Sequence, residues 1–161
     1  RTSENMNIAF FHGLESEPIS DKSQYLHKHY TNAYTPALDY KTNKTIFKDI
    51  LTEIYNLDYK LDLLIGSSFG GFLAFKLSTH LNLPTLLFNP ALSRQPYKID
   101  TSTGFYSNKH KVVLGLTDDV IIPKTTEDRI KSKKSHKWDL NYENIGHCTP
   151  IDIFTKYLDK I

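Results

Sequence analysis

The stretch Leu61–Gly71, "LDLLIGSSFGG", decides how the rest of the chain is read. A short apolar run stops at a glycine, and two serines, a phenylalanine and two more glycines follow. An apolar run this short and continuous predicts a strand buried on both faces of a sheet. The next segment, Gly70 to Leu81, carries Phe72, Leu73, Phe75, Lys76 and Leu77 with the periodicity of an amphipathic helix. Small residues between the two predict a sharp strand-to-helix corner. Within it, Gly66-Ser67-Ser68-Phe69-Gly70 has the form G-x-S-x-G, with Ser68 at the centre. Such a corner holds its serine in a strained conformation above the sheet. The flanking glycines let neighbouring backbones approach, and the helix start supplies free N–H groups and a positive dipole end. Ser67, one position off the apex, is read as a packing or locally hydrogen-bonded residue.

Outward from the corner, five further apolar runs read as strands: Asn7–Phe11, Thr31–Tyr34, Thr85–Phe88, Lys111–Leu116 and His136–Leu140. Helical periodicity falls between them, at Ser20–Tyr30, Lys44–Tyr55, Gly70–Leu81, Thr125–Ser132 and Ile151–Ile161. In the second of these helices Ile46, Phe47, Ile50, Leu51, Ile54 and Tyr55 share one side. Alternation of this kind predicts one α/β domain over residues 1–161, with a mostly parallel six-stranded sheet and helices on both faces. The expected strand order in space is second, first, third, fourth, fifth, sixth. The stretch 89–109 has no periodicity and contains Pro90, Pro96 and Gly104, so it reads as a loop that shapes a binding site. Tyr97, Phe105 and Tyr106 within it are candidates for lining a pocket. Asp62 is expected at an exposed strand start.

Composition narrows the partners. A formal charge of +2 over 161 residues gives no reason to expect nucleic acid or an anionic membrane surface. The densest basic run, Lys131 to Lys137, has no aromatic side chains interleaved for stacking on bases and reads as a solvated face. Cys148 is the one cysteine, which excludes an intrachain disulfide and a cysteine metal cluster and fits a cytoplasmic location. His27 and His29 lie two apart on a helix and face different ways, so no metal site is expected from them. No apolar run approaches the length of a membrane span, so no membrane insertion is expected, and the chain start has no signal-peptide pattern.

A serine hydroxyl is a weak nucleophile and needs a base, which in turn needs an orienting acid. "VVLGLTDDVIIP" places Asp118 and Asp119 just after a strand, and "ENIGHCTP" places His147 between the last strand and the last helix. The order serine, aspartate, histidine is that of an α/β-hydrolase. Counting forward from Gly115, G-x-x-D spacing selects Asp118; counting back from Pro123, D-x-x-x-P spacing selects Asp119. The first count carries more weight, because the strand end sets the reach of the acid. An oxyanion hole is expected from the backbone N–H groups of Phe69 and of Leu14, the latter in the "HGL" turn after the first strand. His12 in that turn is read as ordering it by hydrogen bonding, and Cys148 as packing near the site.

The chain resembles the α/β-hydrolases, and in particular the small bacterial YqiA-like esterases. The resemblance rests on "FFHGLESEP", "GSSFGGFLAFKLS", "LPTLLFNPAL", "GLTDDV" and the "GH" near the end, which follow one another in the family's order over almost the whole chain. It implies a nucleophile at Ser68, an acid at Asp118, a base at His147, and hydrolysis of a small acyl ester or thioester through an acyl-enzyme. No metal or organic cofactor is implied. The loop 89–109 looks shorter than in longer relatives, so no cap domain and a preference for short acyl chains are expected. The other reading is a non-catalytic hydrolase-fold protein that binds a small ligand or a protein partner. A phosphate-gripping loop at "GSSFGG" is disfavoured, since the Walker lysine and the G-x-G-x-x-G spacing are both missing.

Overall fold

Side chains alternate across each strand, and the two sets of apolar residues define two cores. In a computed structural model, which describes residues 5–14, 16–93, 109–132 and 136–161, the strands are β1 (Ile8–Phe11), β2 (Ala33–Tyr34), β3 (Leu63–Ser67), β4 (Thr85–Phe88), β5 (Lys109–Gly115) and β6 (Lys137–Glu143). The helices are α1 (Asp21–His29), α2 (Ile46–Tyr55), α3 (Phe69–Leu81), α4 (Pro123–Lys131) and α5 (Ile151–Leu158). Ile8, Phe10, Leu63, Ile65, Leu86, Phe88 and Val113 face one way and pack on Leu26 of α1 and on Phe154, Tyr157 and Leu158 of α5. Ala9, Phe11, Leu64, Leu87, Val112 and Leu114 face the other way, against α2, α3 and Ile130 of α4. The period of two in a strand produces this division.

All strand pairs are parallel, in the order β2-β1-β3-β4-β5-β6. This is the expected topology, with helices on both faces. The elements differ from expectation in detail. β2 shrinks to two residues, and β6 runs on to Glu143 because it pairs with β5 along its whole length. Helix α3 is buried on every side from Gly70 to Thr79, so its surroundings, rather than an amphipathic stripe, hold it in place. Tyr55 turns outward at 67% exposure, away from the Ile46, Ile50 and Ile54 face. Asp62 is half-buried, and its carboxylate accepts the Asn7 N–H at 2.7 Å, so it braces β1 against β3. Residues 94–108, with Tyr97, Phe105 and Tyr106, lie outside the described residues, as do Lys133 and Lys134 of the basic run. None of the described helices is long and apolar enough to cross a membrane.

One polar chain runs through the second core. Thr85 Oγ1 lies 2.9 Å from His110 Nδ1, and His110 Nε2 lies 3.1 Å from His136 Nδ1. Phe75 and Trp138 close around the two rings. A neutral imidazole has one donor and one acceptor nitrogen, so both bonds are satisfied without a charge. Burial first, and the neighbouring His136 second, push the His110 pKa down to about 3. In the unfolded chain this group takes up a proton near 6.5. Its contribution to stability is therefore complete above about pH 6.5 and is lost as the pH falls toward about 3. Urea unfolding is expected to lose roughly 2 kcal/mol on this account between about pH 7 and about pH 5. A His110→Asn variant, less stable at neutral pH, should lose visibly less over the same interval.

Candidate active site

The turn from β3 into α3 is made at Ser68, whose φ of 56° and ψ of −116° put a non-glycine residue at positive φ. Such a conformation costs on the order of 1–3 kcal/mol and persists only where its surroundings enforce it. Here the Ser68 N–H donates to the Phe88 carbonyl at 2.9 Å, and the Ser68 carbonyl accepts from Ala91 at 2.9 Å and from Gly71 at 3.0 Å. The end of β4 thus clamps the serine backbone on both sides. Gly70 is the second requirement: a Cβ there would stand inside contact distance of the Phe11 carbonyl at the end of β1 and 2.6 Å from the His12 carbonyl. The side chain of Ser68 is left outside the helix ladder, with no capping bond.

Beside it stands the turn after β1. His12 is buried, and its ring is engaged at both nitrogens. Nε2 accepts the Leu38 N–H at 3.1 Å, so Nδ1 carries the proton and donates to the Gly13 carbonyl at 2.7 Å. Tyr40 Oη donates to the His12 carbonyl at 2.7 Å. With both ring nitrogens occupied, His12 orders its turn and has no lone pair left to act as a base. Among the described residues, the N–H groups of Leu14 and Phe69 are not taken up by backbone carbonyls.

Asp118 and His147 come from two different loops. Asp118 is buried, and its Oδ1 accepts the N–H groups of Val120 and Ile121, both at 2.9 Å. Oδ2 faces His147 Nδ1 at 2.9 Å. Asp119 points to solvent. The one-residue choice is made by the turn: only Asp118 lies where two following N–H groups can fix its carboxylate. A cleft of about 390 Å³ opens over these groups, bordered by Gly13, Leu14, Ser68, Phe69 and His147, with Val120 and Ile121 as apolar wall. Exposed Cys148 also lies at its edge. The structure therefore brings Ser68, Asp118, His147, Leu14 and Phe69 to one place. Tyr40 and Asn89, which tie the surrounding turns together, had no signal in the sequence beyond Asn89 standing at a strand end before a proline.

The site lies outside the carboxyl ends of the strands, between β1 and β3, where the strand order reverses and open α/β sheets place their ligands. Sheet order, serine corner and site position together define an α/β-hydrolase fold. Solved structures agree. A protein from Xanthomonas campestris pv. campestris assigned to the alpha/beta hydrolase superfamily superposes with a TM-score of 0.69 over 100% of both chains, at 15% identity. MGS-MChE2, an alpha/beta hydrolase from the metagenome of lagoon sediments at Mar Chica, Morocco, reaches 0.71 over 99% of this chain and 91% of its own, at 16% identity. A Bacillus cereus carboxylesterase reaches 0.64 over 98% and 89%, at 13% identity. No curated protein matches the sequence. The sequence matches the Uncharacterised protein family (UPF0227) over residues 7–133, and the chain belongs to that family, the YqiA-like one.

If backbone contact at Gly70 sets the corner, Gly70→Ala should cost about 3 kcal/mol or more, because the added methyl meets carbonyls that cannot move aside. Gly146→Ala is the control. Its nearest neighbour would be 4.0 Å away, and its cost should stay within about 0.5 kcal/mol. Denaturant midpoints of the two variants make the comparison.

Proposed function

We propose that this protein is a serine esterase acting on a small carboxylic ester or thioester. The observation that carries the reading is the bond from His147 Nδ1 to the buried Asp118 carboxylate, beside a serine held at positive φ on the same cleft. In this reading His147 presents its other nitrogen, Nε2, to the cleft. It takes the Ser68 proton as Oγ attacks the acyl carbonyl, then returns it to the leaving alcohol or thiol. Water, deprotonated by the same histidine, cleaves the acyl-enzyme and regenerates the serine. Asp118 holds the imidazole in one tautomer and stabilises its charged form. The Leu14 and Phe69 N–H groups receive the developing oxyanion, each such donor contributing about 3 kcal/mol in the transition state. The carboxylesterase among the structural neighbours supports the ester class. None of these steps calls for a metal or cofactor.

A fluorophosphonate probe and a panel of p-nitrophenyl esters test the reading. Ser68→Ala is expected to lose both labelling and hydrolysis, whereas Ser67→Ala keeps labelling. Asp118→Asn should lose about 10⁴-fold in kcat, while Asp119→Asn stays near the parent. Labelling of the Ser68→Ala protein at full stoichiometry would reject the assignment.

The acyl chain is proposed to be short, since the sequence leaves a loop rather than a cap domain to cover the cleft. Each further methylene would add about 0.8 kcal/mol if it were buried. Across a series of lengthening acyl esters, kcat/KM is therefore expected to level off after a few methylenes. A steady rise to long fatty acyl chains would contradict a short-chain substrate.

A further inference from the structure

We propose that Asn89 is a positioning residue for the His147–Asp118 pair, a role that depends on the esterase reading only for its kinetic consequence. Asn89 follows directly on β4, and the chain turns there with a φ of 44°, a left-handed conformation that asparagine tolerates better than most residues. Its side chain is buried, at 1% exposure. A buried amide must find partners for its polar atoms, and this one finds them on two separate loops. Oδ1 accepts the Gly115 N–H at 2.7 Å, and Nδ2 donates to the carbonyls of Gly146 at 3.2 Å and His147 at 3.0 Å. An N–H on one side and two carbonyls on the other leave no choice about which end of the amide is oxygen.

The two loops are the ones that carry the acid and the base. Gly115 ends β5, three residues before Asp118, and is joined to it by a turn in which Asp118 N–H donates to the Gly115 carbonyl at 3.2 Å. The loops already touch at the backbone, since a Cβ on Gly115 would lie 2.6 Å from the carbonyls of both Ile145 and Gly146. Thr117 N–H also donates to the Ile145 carbonyl at 3.1 Å. This backbone bond engages Ile145, two residues before His147. The Asn89 amide carries the tie on to the carbonyls of Gly146 and His147 themselves, and with it holds the 2.9 Å separation of His147 Nδ1 and Asp118 Oδ2. Its own N–H donates to Val113 at 2.9 Å, so the amide is anchored to the sheet. Residues on either side of it, Phe88 and Ala91, hold the Ser68 backbone. One short segment after β4 thus sets the nucleophile against the acid–base pair.

Two variants separate positioning from stability. Asn89→Gly keeps the left-handed backbone and removes the whole amide. Asn89→Asp keeps the size and the acceptor for Gly115 but sets a carboxylate against the Gly146 and His147 carbonyls, so the attraction to the His147 loop becomes a repulsion. Each is measured for thermal unfolding, for kcat and KM on whichever ester the parent hydrolyses, and for the far-downfield proton resonance of an imidazole N–H held by a carboxylate. Both variants are expected to fold, to weaken or shift that resonance, and to lose about 10²-fold in kcat. KM should change by no more than about twofold, because substrate contacts are untouched. Should Asn89→Gly fail to fold, Asn89→Asp decides. Unchanged resonance and kcat in the folded variants would overturn the proposal, as would a lower melting temperature with both of these intact. If the parent hydrolyses no ester yet the resonance still changes in the variants, the esterase reading fails and the positioning role stands.

Discussion

The structure depends on a contact that only glycine permits. At Gly70, in the first turn of α3, the helix backbone lies against the carbonyl of Phe11, and no side chain could be fitted between them. This approach lets α3 begin directly above the end of β3 and beside β1, rather than after a longer loop. The serine corner then falls next to the turn that follows β1, and a cleft forms where the sheet order changes direction. Gly66 makes the same accommodation from the strand side, since a Cβ on it would run into the Gly70 carbonyl. The two glycines of the motif are therefore a single packing solution.

Such a corner is strained, and its strain has to be offset nearby. Ser68 at positive φ costs on the order of 1–3 kcal/mol. Against this stands the burial of Phe72, Leu73, Phe75 and Leu77 on α3, each worth about 2 kcal/mol or more when removed from water. The burial term is several times the larger, so the helix stays seated and the serine accepts the conformation imposed on it. Backbone bonds to Phe88 and Ala91 then keep the serine from relaxing into the ordinary helical region. The apolar core pays for the site from a distance, through a helix that is buried on every side.

Much of this was legible because it follows from short-range chemistry. Strand alternation, the G-x-S-x-G corner and the order of the elements gave the sheet and its topology. What was not legible depends on which loops meet. β6 extends through polar Asn141 and Glu143 because β5 offers it a partner, which its own sequence does not announce. Tyr40 gave no sign in a loop after β2 that its hydroxyl would reach the His12 carbonyl. Asp118 and Asp119 are adjacent and chemically identical, and spacing rules pointed to both. The turn separates them, because the N–H groups of Val120 and Ile121 converge on the carboxylate of Asp118. That convergence depends on turn geometry, to which residue type is blind.

The parts that hold the site together are mostly neutral. His12 orders its turn as an uncharged imidazole, and Asn89 and Tyr40 join loops through an amide and a phenol. Asp118, the one buried carboxylate among the described residues, has its oxygens met by two N–H groups and one imidazole. A charged pair in place of the Asn89 amide would have to overcome a desolvation cost of several kcal/mol, and any mismatch would leave a charge buried beside the acid. It would also add a field of its own at the histidine, biasing the one proton whose movement the proposed chemistry requires. A neutral amide fixes distance without shifting that balance. The scaffold around the pair is thus directional where geometry is needed and electrostatically quiet where the proton must remain free to move.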